Sequence, residues 1–169
     1  MKKKKSSILF WITGLPGTGK TSIANVLFKK INKIYGPTIL LNGNDLRECF
    51  HLTGYTKTER KKIGLMYSNF FLRLIKQNIN IVFAGGAMSH KVQKFNRDKI
   101  KNYMEILIKS DLKKNKKIKK IYRNTKNVVG MDIKPEFPKK PDLIYFNDYK
   151  KPITSAAYKI FSSILKKNF

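Results

Sequence analysis

The stretch "SILFWITGLPGTGKTSIANVLFKKINKIY", Ser7 to Tyr35, decides the fold. Its first seven residues are a short, nearly continuous apolar run, as in a strand buried on both faces. "GLPGTGKT" (14–21) then fits G-x-x-x-x-G-K-[ST] in full. Glycines let the backbone curl until successive N–H groups can face phosphate oxygens. From residue 20 on, Ile23, Val26, Leu27, Ile31 and Ile34 recur at helical spacing, so a helix N-terminus adds favourable partial charge to the same spot. Strand, glycine loop and helix in this order are what a triphosphate cradle needs. Lys20 is then expected to reach the β and γ phosphates, and Thr21 to place its hydroxyl on Mg²⁺. The expected ATP-contacting run is Gly14, Leu15, Pro16, Gly17, Thr18, Gly19, Lys20, Thr21 and Ser22.

Beyond this unit, apolar runs alternate with helical patterns. Strands are expected at 38–42, 79–86, 103–109 and 143–147. Helices are expected from Thr58 to about Leu74, over 89–102 and over 152–166, with Pro152 near the first turn of the last. Strands separated by helices predict an α/β fold of three layers, a five-stranded parallel sheet with helices on both faces. Residues 1–6 read as a basic tail and 7–169 as one domain. The run "KKNKKIKK" (113–120) reads as a solvated lysine-rich helix or a basic lid. "KNVVGMDIKPEFPKKPD" (126–142) holds three prolines and a glycine, and a loop of that length inside a domain points to function.

Composition narrows the partners. The net charge is +27, from 37 basic and 10 acidic residues. Lysine outnumbers arginine 32 to 5, alongside 20 Ile and 14 Asn. That joint excess looks like a codon bias, whereas phosphate- and base-reading surfaces favour the arginine fork. Nucleic acid is therefore not the expected partner. The single cysteine, Cys49, and two distant histidines exclude a disulfide framework and a cysteine- or histidine-based zinc site. No apolar run approaches the roughly 18 residues of a membrane span, and the start does not fit a secretory signal. The cytoplasm is the expected compartment. A GTPase would want N-K-x-D and D-x-x-G, and neither falls at a suitable place. A small-molecule kinase needs only the cradle, a second pocket at the strand C-termini and a lid.

"FWITGLPGTGKTSIA", "LLNGNDLRECF", "GYTKTERKK", "FNRDKIKNYMEI" and "KNVVGMDIKPEFPKKPDLI" come in the order seen in adenylylsulfate kinases, and the chain resembles the compact single-domain form of this P-loop kinase family from about Ile8 to Asn147. The resemblance implies transfer of the ATP γ-phosphoryl group, with Mg²⁺, to the 3′-hydroxyl of adenosine 5′-phosphosulfate (APS), and it implies a homodimer. It implies that Arg47 and Arg60 hold the phosphosulfate end, that Tyr55 stacks on the substrate base, and that Asn44, Lys126, Asn127, Val128 and Asp132 complete the acceptor site. Glu136 and Pro138 match the covering loop. Asn96 and Arg97 match a family "NR" and are expected to be structural.

The chain also departs from the family. Asn42 and Asn44 stand where two aspartates would be, and an amide carries no charge and is no base. Asp45, one position on, is the acid left to act beside Lys20 in catalysis. Ile63 and Met66 replace an expected Asn and Arg, Ala87 replaces a serine, and Val128 replaces a second stacking aromatic. Elements that hold the ATP base elsewhere are not recognisable in "SDLKKNKKIKKIYRN". A kinase of another nucleotide or sugar phosphate, or a catalytically impaired nucleotide-binding relative, stays open on these grounds.

Overall fold

A computed structural model describes residues 7–86, 88–111 and 126–167. The expected basic tail (1–6), Ala87 and the lysine-rich run at 113–120 lie outside the described residues. The elements follow as β1 (Leu9–Thr13), α1 (Lys20–Tyr35), β2 (Thr38–Asn42), α2 (Gly43–Cys49), α3 (Lys57–Lys76), β3 (Asn80–Ala84), α4 (His90–Lys99), β4 (Tyr103–Lys109), β5 (Leu143–Phe146) and α5 (Ile153–Leu165).

The five strands form one sheet in the order β2-β3-β1-β4-β5, and every pairing is parallel. β1 is central, and all five of its residues are buried. Strand alternation then sorts them between two cores. Phe10 and Ile12 pack with Ile23, Leu27 and Ile31 of α1 and with Ala157, Ile160 and Ile164 of α5. Leu9 and Trp11 face the other way, with Leu46 of α2, Tyr67 and Phe71 of α3, and Val92 of α4. Trp11 meets Phe83 edge-on, with ring centroids 4.5 Å apart. This is the expected three-layer α/β architecture. The expected bounds of β2 and β4 hold to the residue, and α1 begins at Lys20 as expected. α4 is shorter than expected because Ile100 turns extended while its N–H still bonds to the carbonyl of Asn96.

Arg97 is structural, as expected. Its Nη2 bonds to Glu105 at 3.2 Å and to Asp142 at 3.0 Å, joining α4 to β4 and to the entry of β5. Glu105 is 2% exposed, and burial pushes its carboxyl up from the usual value. Arg97 and the Tyr103 hydroxyl, which donates at 3.0 Å, offset that cost. Among the described residues no helix is long and apolar enough to cross a membrane.

In a doubly wound sheet, ligands sit outside the C-terminal ends of the strands, where the order of winding reverses. Here β1 runs into residues 14–19, β2 into Asn42 and Gly43, β3 into Gly85 and Gly86, and β5 into Asn147. All four exits lie at one end of the sheet.

Candidate active site

Residues 14–19 form a tight loop closed on one carbonyl. Leu15 O accepts from the Thr18 N–H at 3.3 Å, the Thr18 hydroxyl at 2.9 Å and Lys20 Nζ at 2.8 Å. Gly14, Gly17 and Gly19 all have positive φ, at 146°, 79° and 91°. At Gly14 a Cβ would lie 2.2 Å from the carbonyl oxygen of Ile108, in the neighbouring strand. That oxygen belongs to the sheet and cannot give way. Gly14→Ala is therefore expected to cost at least ~2 kcal/mol of stability, through left-handed backbone and backbone clash together. Equilibrium denaturation at constant m-value checks this. Burial pushes the Lys20 ammonium down to about 8. A half-buried ammonium at a cleft wall, with no carboxylate partner among the described residues, is poised for an anion.

The segment after β2 differs from a simple turn. Gly43–Cys49 is a helix, and Asn42 is its N-cap. Asn42 Oδ1 accepts from the backbone N–H groups of Asn44 and Asp45, each at 3.0 Å. Asn42 Nδ2 donates to the Asp45 carboxylate. An aspartate at 42 could do the first job but not the second, because it has no donor to offer Asp45. The amide thus suits a short helix with an acid in its first turn. Asp45 is exposed and held by Asn42, and it does not line the cleft described next. Asn44 does line it.

A cleft of about 370 Å³ connects Lys20 and Thr21 with Asn42, Asn44, Arg47, Tyr55 and Arg60. Its floor is Phe83 to Gly86 at the end of β3. The Arg47 guanidinium lies 4.2 Å from the centroid of the Tyr55 ring, and that of Arg60 lies 5.2 Å from it. Cation–π contact holds both forks near one aromatic surface. Arg47 also donates to Leu52 O at 3.1 Å. Arg60 donates from Nε to Tyr55 O at 2.8 Å and from Nη2 to Asn127 O at 2.9 Å. Burial first, and Arg47 second, push Arg60 below its ordinary value. Neither arginine has a carboxylate partner among the described residues, and no carboxylate lines the cleft. Two like charges without a counter-ion make a strong anion site.

The 126–142 segment is tied to this cleft through Arg60. Asn127 has φ 60°, which turns its carbonyl to Arg60. Val128 is buried, and its carbonyl accepts from residues 131, 132 and 133 at 3.2, 3.0 and 3.1 Å. Asp132 is exposed, and its carboxylate accepts the Val128 N–H at 2.9 Å, so it closes this turn. A Cβ on Gly130 would come within 2.8 Å of Leu15, which puts the segment against the phosphate loop. Lys126 is exposed at its start. Farther on, Glu136 anchors the segment: it accepts the His90 N–H at 2.8 Å at the start of α4 and pairs with Lys57 at 2.9 Å. Lys57 foremost, then the His90 N–H, hold its carboxyl below the usual range.

The structure thus gathers Lys20, Thr21, Asn44, Arg47, Tyr55 and Arg60 around one cleft, with Asn127 tied to it through Arg60. Lys126, Val128 and Asp132 lie in the 126–142 segment and do not line the cleft, and Asp45 sits outside it as well. Asn147, donating to Thr18 O at 3.0 Å, and Tyr149, whose hydroxyl donates to Gly17 O, also clamp the 14–19 loop, and the sequence reading did not include them. The turn-forming "FNDY" was the sole sequence signal for them.

Known proteins are similar to this chain in sequence and in fold. The adenylylsulphate kinase family matches residues 6–145. A cytidine diphosphoramidate kinase of Campylobacter jejuni is 31% identical over 151 residues, covering 85% of this chain and 88% of its own. A probable adenylyl-sulfate kinase of Archaeoglobus fulgidus is 25% identical over 150 residues, covering 84% and 97%. In fold, the chain is similar to an APS kinase of Mycobacterium tuberculosis solved with AMPPNP and APS, with TM-score 0.78, 18% identity and coverage of 95% and 98%. With the family match spanning most of the chain and the phosphate loop facing the arginine pair, this phosphotransferase belongs to the adenylylsulphate kinase family.

Proposed function

We propose that the chain transfers the ATP γ-phosphoryl group to the 3′-hydroxyl of adenosine 5′-phosphosulfate. The observation that carries this reading is the single cleft that faces Lys20 and Thr21 with the unpaired guanidiniums of Arg47 and Arg60 around Tyr55. ATP phosphates lie on residues 14–22. Arg47 takes the phosphosulfate end through its fork. Arg60 uses Nη1, the nitrogen it does not spend on Tyr55 and Asn127. Tyr55 offers a stacking face for the base, worth about 1–3 kcal/mol. Asn44 can accept from a ribose hydroxyl. Lys126, Asn127, Val128 and Asp132 shape the cover over the base.

A divalent ion fits as a passenger of the nucleotide. Among the described residues no group of three acidic, histidine or cysteine side chains is placed to hold one. Mg²⁺ keeps its waters readily and binds through phosphates with few protein ligands. Thr21 would hold it, and it supplies neutralisation of phosphate charge when bound. Phosphoryl transfer asks for positioning and charge neutralisation more than for a base, which suits a cleft lined by amides and cations.

A second acceptor, cytidine diphosphoramidate, is favoured by one observation. Where a second aromatic face is expected, this chain has the buried aliphatic Val128. A base stacked on Tyr55 alone gains less from a purine's larger surface. Both acceptors share a nucleoside 5′-phosphoanhydride, which is the part Arg47 reads. The test is ADP release with Mg-ATP and each acceptor. A kcat/KM for APS at least tenfold above that for cytidine diphosphoramidate supports the first reading. The reverse ratio moves the assignment to the second. No acceptor-dependent release with either overturns both.

Lys20 gives a pH dependence. Its value near 8 means it is charged below pH 8 and loses its proton above. ATP affinity is therefore expected to fall by up to about tenfold between pH 8 and 9, because the cation that meets the phosphates is lost. Stability moves the opposite way. Between about pH 8 and 10.5 the unfolded chain holds this proton and the folded chain does not, so raising the pH relieves the cost of the buried charge. Titrating Mg-ATP at pH 7, 8 and 9 checks the affinity.

A further inference from the structure

The turn after β5 is built onto the phosphate loop. Asn147 is 3% exposed, and its Nδ2 donates to the carbonyl of Thr18 at 3.0 Å. A Cβ on Gly19 would lie 2.7 Å from the same nitrogen, so the amide is pressed against the loop. Asn147 Oδ1 accepts the Tyr149 N–H at 3.2 Å, and Asp148 accepts the Lys150 N–H at 3.0 Å. These two side-chain-to-backbone bonds fold residues 147–150 into a compact turn. Within it Tyr149 takes φ 60°, a left-handed conformation rare for an aromatic residue and costly unless something compensates. Its hydroxyl donates to the carbonyl of Gly17.

Two consecutive carbonyls of the loop are thus held from one side by side-chain donors, while a third, Leu15 O, is held from within. A trans peptide unit is planar, so fixing a carbonyl also fixes the N–H of the following residue in the opposite sense. Holding the Thr18 carbonyl toward the β5–α5 turn therefore turns the Gly19 N–H away from that turn, and holding the Gly17 carbonyl fixes the Thr18 N–H, which bonds to Leu15 O at 3.3 Å and closes the loop. The two holds also keep both oxygens from facing phosphate, where they would repel it. Among the described residues, no other element supplies this hold on the Gly17 carbonyl.

We propose that Tyr149 is a positioning residue for the donor nucleotide: its hydroxyl pins the Gly17 carbonyl outward and keeps the phosphate cradle in its binding shape. The strained backbone at Tyr149 delivers the ring to that spot, and Asn147 holds both the turn and the loop. The inference rests on the loop binding ATP and is independent of which acceptor is used.

Tyr149→Phe removes one oxygen from a half-exposed ring, so the fold is expected to survive with an unchanged unfolding midpoint. Losing one hydrogen bond that orders a binding loop is expected to weaken Mg-ATP binding by about 3- to 10-fold. KM for ATP should rise by the same factor, with kcat and the acceptor KM within about twofold of wild type. Direct titration of both proteins with Mg-ATP, without acceptor, reads the first effect. An unchanged ATP dissociation constant overturns the proposal, as does an equal rise in both KM values, which would be general loosening. If the wild-type protein itself fails to bind Mg-ATP, the donor reading falls and takes the proposal with it.

Discussion

Lys20→Ala is expected to lower kcat by at least ~100-fold while leaving the fold intact. The side chain parks its ammonium on Leu15 O at 2.8 Å. The same oxygen keeps its bonds from the Thr18 N–H and hydroxyl when Lys20 is gone, so the loop does not collapse. What disappears is a preorganised cation at the cradle, where charge develops on the transferring group. Removing one such stabilising group typically costs 10²–10³ in rate. The variant should also lose the fall in ATP affinity above pH 8, because the titrating group is absent. Near-normal turnover in Lys20→Ala would refute the assigned role.

Arg47→Ala is expected to reduce kcat/KM for the acceptor by about 10- to 100-fold, with KM for ATP little changed. A hydrogen bond to a charged group is worth about 1.5–3 kcal/mol, and among the described residues no carboxylate competes for the Arg47 fork. Arg47→Lys keeps the charge but loses the fork and the flat contact with Tyr55, so it should recover only part of the loss. Arg60 is expected to respond differently. It is tied to Tyr55 O and Asn127 O, so its removal frees the cover as well as an anion contact. Steady-state kinetics with each substrate varied in turn separates the two arginines.

The sheet and the cradle were legible in the sequence because their causes are local. Five buried residues in β1, three glycines at fixed spacing and a helical period after Lys20 each announce their own structure. α2 was not legible as a helix. It has seven residues, too few to show a period, and "NGND" reads as a turn. The helix exists because Asn42 caps it and Leu46 is buried in the core cluster that holds Trp11, and that burial is a tertiary fact. The same helix explains why Asp45 was expected in the site and stands outside it: its carboxylate answers the Asn42 amide three residues back. Arg47, two positions on, sits beside Tyr55 at the cleft.

The remaining surprises are contacts between segments distant in sequence. Arg60 reaches Asn127 across 67 positions, and Asn147 reaches Thr18 across 129. No pattern in either segment announces its partner. Glu136 is similar: it matched a family loop by sequence, but its work at the start of α4 appears only when residues 90 and 136 are side by side. The departures from the family read differently once placed. Asn42 is a cap that an aspartate could only half replace, and Val128 is a buried part of the cover's turn.

The most direct test follows the phosphoryl group itself. Incubate the protein with γ-³²P-labelled Mg-ATP and each nucleoside 5′-phosphoanhydride in turn, and locate the label in the separated products. The label is predicted to appear on the 3′-oxygen of the acceptor's ribose, in one-to-one ratio with ADP. Label found only as inorganic phosphate, or no transfer in the presence of either acceptor, would contradict the reading of this cleft as a nucleotide 3′-kinase site.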